Sequence, residues 1–183
     1  MQGYKKLFTY WYTLIIYDLT VVLCRRWIKS WKLREQMEGA ARSGKQNIIE
    51  GSEGMKTSLK TTIKLTNVAK ASLEELLADY EDFLRQRELV QWDKDDPRTR
   101  LFRGKAAKLV RDLSNLSHLS NLRWQRQLPL PKDPEEAANL LITLCHQATY
   151  LLNKQVESLE RKHQTEGGYT EKLYRRRQQY RGF

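Results

Sequence analysis

The sequence predicts an all-α protein: an antiparallel up-down four-helix bundle with a helical basic insert and a basic carboxy-terminal tail. Three observations carry that prediction. Apolar residues recur at three- and four-residue steps over four long stretches, a spacing that gathers them on one face of an α-helix. Met55 to Asp96 holds neither Gly nor Pro, so one of these helices is long. Only short links part the first three stretches, and short links make consecutive helices antiparallel neighbours.

The first helix is expected from about Lys5 to Lys29. Leu7, Trp11, Leu14, Val21 and Ile28 share one face, and Phe8, Tyr12, Ile15, Leu19 and Val22 fill the adjacent stripe. Leu7–Cys24 is apolar enough to raise a membrane span, which needs about 20 predominantly apolar residues. Asp18 and the Thr and Tyr residues throughout argue against it. The second helix is expected from about Lys32 to Glu53, with an inner stripe of Leu33, Met37, Ala40, Gly44, Ile48 and Gly51. Gly39, Gly44 and Gly51 each weaken it by up to about 1 kcal/mol relative to Ala, which close packing must recover.

The third helix begins near Thr57 or Ser58, either of which can cap it, and continues to about Leu89. Its apolar residues, among them Leu59, Ile63, Leu65, Val68, Leu73, Leu76, Leu77 and Tyr80, spread over roughly 220° of the helix. One core needs a narrower stripe, so the surplus predicts contact with another subunit. The last bundle helix starts at Asp133-Pro134-Glu135-Glu136, a cap, a proline at the first position and carboxylates facing the positive helix end. Ala137, Leu141, Leu144, Ala148, Leu151 or Leu152, Val156 and Leu159 mark its inner face towards His163.

Between the third and last bundle helices lies the insert, residues 93–131. Asp93–Pro97 reads as a turn, Arg98 to about Asn121 as a helix, and Leu128-Pro129-Leu130-Pro131 as an extended linker. Residues 1–163 then form the bundle domain, and 164–183 a basic Tyr/Arg-rich tail.

The order SGKQNIIEG, a short hinge, then KLTNVAKASLEELLADYEDFL resembles the bacterial four-helix-bundle family. That family includes proteins encoded in 23S rRNA intervening sequences and the accessory variability protein of diversity-generating retroelements. GGYTEKLYRRR near the carboxy terminus resembles the suffix carried by one branch. The resemblance spans about Lys5–Glu88, Asp133–His163 and Gly167–Arg177, and the insert has no counterpart in it. It implies a homopentameric barrel, nucleic-acid binding, and a retroelement accessory role in which the bundle meets a reverse transcriptase and its template RNA. Ser43, Asn47, Glu50 and Gly51 carry the family motif. Ser43, Asn47 and Glu50 share one helix face, which serves either partner recognition or, the reading we favour, hydrogen bonds tying the helix to its neighbours. Arg42 and Lys45 flank that face and are expected to point outward.

The formal net charge of +11 suggests a polyanionic partner. Residues 98–126 hold Arg98, Arg100, Arg103, Lys105, Lys108, Arg111, Arg123 and Arg126 against Asp112 alone, a charge of +7. Residues 161–183 sum to +5 and the remainder to −1, so the framework reads as neutral. In the tail, Tyr169, Tyr174 and Tyr180 interleave with Lys172, Arg175, Arg176, Arg177 and Arg181. Arginine binds phosphate, and tyrosine stacks on an unpaired base at about 1–3 kcal/mol per base. This suits RNA or single-stranded DNA; a solubilising basic tail is the plainer alternative.

Nothing in the sequence assembles an enzyme. HExxH, CxxC, GxSxG and phosphate-loop patterns are absent. Cys145 and His146 are adjacent, so they point to different helix faces, poor geometry for one metal ion. Glu74, Glu75, Asp79, Glu81 and Asp82 lie at helical steps near Lys70 and Arg85, as surface pairs do. No metal and no cofactor are expected. Cys24 and Cys145 read as buried free thiols, which together with the lack of a cleavable leader suggests a cytoplasmic protein. The function expected is non-enzymatic, oligomeric binding of RNA. A homo-oligomeric scaffold for a protein partner is the alternative, and an anionic-membrane binder using the first helix a weaker third.

Overall fold

The computed structural model describes residues 3–55, 58–115, 124–167 and 169–180, with the backbone alone at 166, 169, 170 and 172. Among the described residues the regular structure is entirely helical. A 3-10 turn, Gly3–Lys6, leads into α1, Phe8–Trp27. Then follow α2, Trp31–Gly54, α3, Leu59–Arg85, and α4, Pro97–Asn115. A short 3-10 turn, Trp124–Arg126, precedes α5, Pro134–Glu166, and α6 is Tyr169–Tyr180. α1 packs on α2 and α5, and α3 packs on the same two helices, so these four close a ring of contacts. α4 lies across α1 and α5. No described helix is long and apolar enough to cross a membrane.

α1 starts three residues later than expected and ends two earlier. Leu7 is extended and has no polar side chain to cap a helix, so the chain enters through a separate turn, held where Trp11 Nε1 donates to Lys5 O at 2.9 Å. The core face is Trp11 with Tyr12, Ile15, Ile16, Leu19, Leu23 and Cys24. Leu7, Leu14, Val21 and Val22 are half-buried and Phe8 is exposed. The core therefore takes more of the adjacent stripe than of the one headed by Leu7. Thr20 is fully buried at the ring's centre, its hydroxyl 2.6 Å from that of Tyr80 on α3. Burial with only this neutral partner pushes the Tyr80 phenol well above its ordinary value.

The small-residue stripe of α2 packs closely, as expected, and the helix it meets is α3. A methyl at Gly44 would sit 3.1 Å from Leu73 Cδ2, and one at Gly51 3.4 Å from Leu65 Cβ. Thr62 Oγ1 donates to Gly51 O at 2.9 Å across the same seam. Gly39 differs: among the described residues nothing beyond its own stretch of helix backbone lies within 4 Å of where its methyl would be. Close packing thus recovers the helix cost of glycine at 44 and 51 and not at 39.

Ser58 caps α3, accepting from Thr61 N at 3.2 Å; Thr57 lies outside the described residues. α3 stops at Arg85, short of the expected Leu89. Leu89 N bonds back to Leu84 O at 3.0 Å, with Glu88 in the left-handed region at φ 56°. That closure usually employs Gly or Asn, and Glu gave no stop signal. At the other surplus positions of α3, Val68 is exposed and Ile63, Leu65 and Leu77 are half-buried. Thr62 and Thr66 are buried at the α2 seam in their place.

Asp133 caps α5, accepting from Glu136 N at 2.9 Å. α5 runs to Glu166, three residues past the expected end, and Gly167 closes it at φ 70°. The insert is seated on the body: Ala106, Leu109, Val110, Leu113, Trp124, Leu128 and Leu130 are all buried, as is Trp92 just before it. α4 ends at Asn115 within the described residues, whereas the sequence suggested about Asn121; residues 116–123 fall outside them.

Candidate nucleic-acid interface

The cations assigned to the insert divide into two groups. Arg98 is bound up in its own chain. Its guanidinium lies 3.8 Å from the Trp92 ring centroid, 2.9 Å from Asp96 Oδ2 and 4.0 Å from Glu135 Oε1. These hydrogen bonds hold the Asp96 carboxyl below its ordinary value. Arg100 pairs with Asp95 at 3.2 Å, and Arg103 Nη2 donates to Lys94 O at 3.0 Å. The first turns of α4 thus tie down the 91–96 segment. Lys105, Lys108 and Arg111 are exposed and make no ion pair among the described residues. The buried face of α4 is Ala106, Leu109, Val110 and Leu113, so steps of three and four leave these cations on its outer side. Arg126 is exposed in the turn before the linker, and Arg123 lies outside the described residues.

In the tail, every residue from Tyr174 to Tyr180 is exposed. Arg175, Arg176 and Arg177 are consecutive, so their guanidiniums fan over roughly 200° of α6. Tyr174 keeps 62% of its surface exposed and Tyr180 94%, and Gln178 Nε2 donates to Tyr174 Oη at 2.8 Å. The side chains of Tyr169 and Lys172, and the whole of Arg181, lie outside the described groups.

Ser43 and Asn47 make hydrogen bonds within the fold. Ser43 Oγ lies 2.9 Å from Ser72 Oγ on α3. Asn47 Nδ2 donates to Ser43 O at 2.9 Å and to Ser43 Oγ at 3.1 Å. With Gly51 against Thr62, these form a polar seam between α2 and α3. Glu50 is exposed and makes no bond among the described residues. Arg42 is exposed, as expected. Lys45 is not: it is half-buried, its ammonium 4.1 Å from the Tyr17 ring centroid. Burial lowers its pKa, opposed by the nearby Asp18.

Of the α3 carboxylates, Glu74 pairs with Lys70 at 3.6 Å and Asp82 with Arg85 at 2.6 Å, as surface pairs. Asp79 behaves differently. Half-buried, with Glu75 and Asp82 adding repulsion, its pKa is pushed up to about 6. Cys24 and Cys145 are free and buried, and burial pushes the Cys24 thiol up to about 12. No group of three or more His, Cys, Asp or Glu among the described residues is arranged to hold a metal ion.

Two features escaped the sequence reading. The first is Arg25 to Arg34, RRWIKSWKLR, with five cations and no acid. The neutral sum of the framework averaged it away; a ten-residue charge window finds it. The second is a cleft of about 900 Å³ walled by Tyr12, Trp92, Ile142 and Leu151 and edged by Arg103 and His146. Packing of the insert on α1 and α5 creates it, so no local pattern announces it. Comparison of the chain with family models, curated proteins and solved structures finds no match.

Proposed function

We propose that this chain is a non-enzymatic protein that binds nucleic acid, RNA above other polyanions. The observation that carries the reading is α6. It presents three consecutive exposed arginines, with no ion pair among the described residues, between exposed Tyr174 and Tyr180, cations for phosphates and rings for unpaired bases. Lys105, Lys108 and Arg111 on the outer face of α4 add a second set of phosphate contacts. In this reading the ring of α1, α2, α3 and α5 is an antiparallel up-down bundle, because three- and four-residue links join α1 to α2 and α2 to α3.

The same reading makes the protein a homo-oligomer, a pentamer by the family resemblance. Exposed Val68 and half-buried Ile63, Leu65 and Leu77 on α3 support an interface through α1, α2 and α3. Oligomerisation would multiply weak basic patches through avidity. Light scattering that finds a 21.7 kDa monomer at micromolar concentration would end it. The retroelement context, with a reverse transcriptase as partner, follows from the resemblance alone, as does the branch with a suffix. The cleft beside α4 favours one alternative, a homo-oligomeric scaffold that binds a protein partner. Purification separates the two: a nucleic-acid binder carries ultraviolet-absorbing polyanion that high salt removes, and a scaffold does not.

A further inference from the structure

From the link between α1 and α2 we infer a further single-stranded nucleic-acid contact, in which Trp31 stacks on an unpaired base and the cations around it hold the flanking phosphates. The inference rests on the nucleic-acid reading above, but on a surface that neither basic segment contains.

The charge at this turn is held in place by neutral groups. Arg26 Nη1 donates to Leu130 O and Pro131 O at 3.2 and 2.8 Å, with its guanidinium 5.6 Å from the Trp27 ring centroid. Arg34 Nη2 donates to Ile28 O at 2.8 Å. Arg87, arriving from the end of α3, donates to Trp27 O at 2.9 Å and lies 3.9 Å from the Phe83 ring centroid. Each arginine is held by neutral carbonyls and rings, which orient the cation without cancelling its charge. Arg25, Lys29 and Lys32 are exposed beside them. Among the described residues none of these six cations pairs with a carboxylate. The arrangement departs from a solvated surface, where such residues alternate with acids as they do at Lys70 and Glu74.

Trp31 supplies the ring. It is 72% exposed at the first position of α2, while Trp11, Trp92 and Trp124 are buried and Trp27 is half-buried. Its indole makes no ring contact among the described residues. One free aromatic set among cations matches a base between two phosphates. A membrane-inserting face would need a contiguous apolar patch, and Ile28 is buried and Leu33 half-buried here.

The exposure also provides the test. In the full-length protein, polyuridylate should quench the emission of the solvent-exposed tryptophan, and Trp31→Phe should remove that signal. Trp31→Ala should weaken polyuridylate binding by about 5- to 150-fold, and circular dichroism should stay unchanged. Lys29→Gln with Lys32→Gln should make the salt dependence shallower by about 0.7 per lost phosphate contact. If the native protein binds polyuridylate but Trp31→Ala leaves affinity and quenching unchanged, this contact is refuted and the nucleic-acid reading stands. If the native protein binds no polyuridylate at low salt, that reading itself fails. A blue shift of Trp31 emission on phosphatidylserine vesicles, without quenching by polyuridylate, would assign the surface to lipid and overturn the inference.

Discussion

α4 and α6 carry similar strings of cations, yet they differ in what those cations can do. α4 has an apolar face, Ala106, Leu109, Val110 and Leu113, and packs it on the body. Packing brings Arg98, Arg100 and Arg103 against Asp96, Asp95 and the Lys94 carbonyl. α6 buries no described side chain, and Arg175, Arg176 and Arg177 make no ion pair among the described residues. A basic segment counted in the sequence is an upper bound on the charge a partner meets. Amphipathicity reduces it, because a helix that folds onto its own protein brings its cations to that protein's carboxylates and carbonyls.

Stability should separate the two helices most sharply. Leu113→Ala removes a side chain only 1% exposed beneath α4 and should cost about 2–5 kcal/mol. Truncation after Gly167 should leave the thermal midpoint where it was, since no described side chain of α6 is buried. A truncated chain that melts early would mean that α6 is part of the body, and the contrast would be lost.

Binding should separate them in the other direction. Changing Arg175, Arg176 and Arg177 to Gln should make RNA affinity less salt-dependent by about 0.7 per lost single-strand contact. Lys105, Lys108 and Arg111 to Gln should behave likewise, and Arg98 and Arg100 to Gln should leave the slope unaltered. Filter binding across a salt series reads all three. An equal loss from the Arg98 and Arg100 variant would show that its ion pairs open for the partner. Changing Tyr174 to Ala should weaken single-strand binding more than duplex binding.

Most of the fold was legible because it rests on local signals. Ser58, Asp133 and Pro134 set helix starts, and the Gly44 and Gly51 stripe set the α2–α3 contact. Those signals failed where a residue did something its type does rarely. Glu88 takes a left-handed conformation, so α3 stopped without a glycine. The site was less legible, since free and engaged cations look alike in a sequence. Asp95 and Asp96 were in view, but only the turn at 93–97 shows that they meet Arg100 and Arg98. The turn at Arg25–Arg34 was missed by summing charge over too long a span.

Two glycine exchanges test this account of the backbone. Glu88→Gly should relieve the left-handed strain and stabilise by about 1 kcal/mol. Gly39→Ala should stabilise the monomer by up to about 1 kcal/mol, because nothing lies near the added methyl. Denaturant midpoints measure both. A Gly39→Ala chain that loses its oligomeric state would instead place a second subunit against that position.

The smallest effect concerns a charge that packing disfavours. Asp79 is half-buried on α3, with Glu75 and Asp82 on its own helix, and its folded pKa is pushed up to about 6. Arg87 borders the same hollow, but its guanidinium is directed to the Trp27 carbonyl and the Phe83 ring. An unfolded aspartate titrates near about 3.9. Between these values the folded chain binds more protons than the unfolded one, so stability falls as pH rises from about 4 through about 6. Asp79→Asn should remove that fall. The variant and the native protein should melt together near pH 4, and the variant should melt higher at pH 7. Melting curves at the two pH values decide it: an equal or lower midpoint for the variant at pH 7 would mean that a cation, from this chain or a second subunit, compensates Asp79. In that case the acid would belong with the engaged charges at the start of α4, and its cost to the fold would disappear.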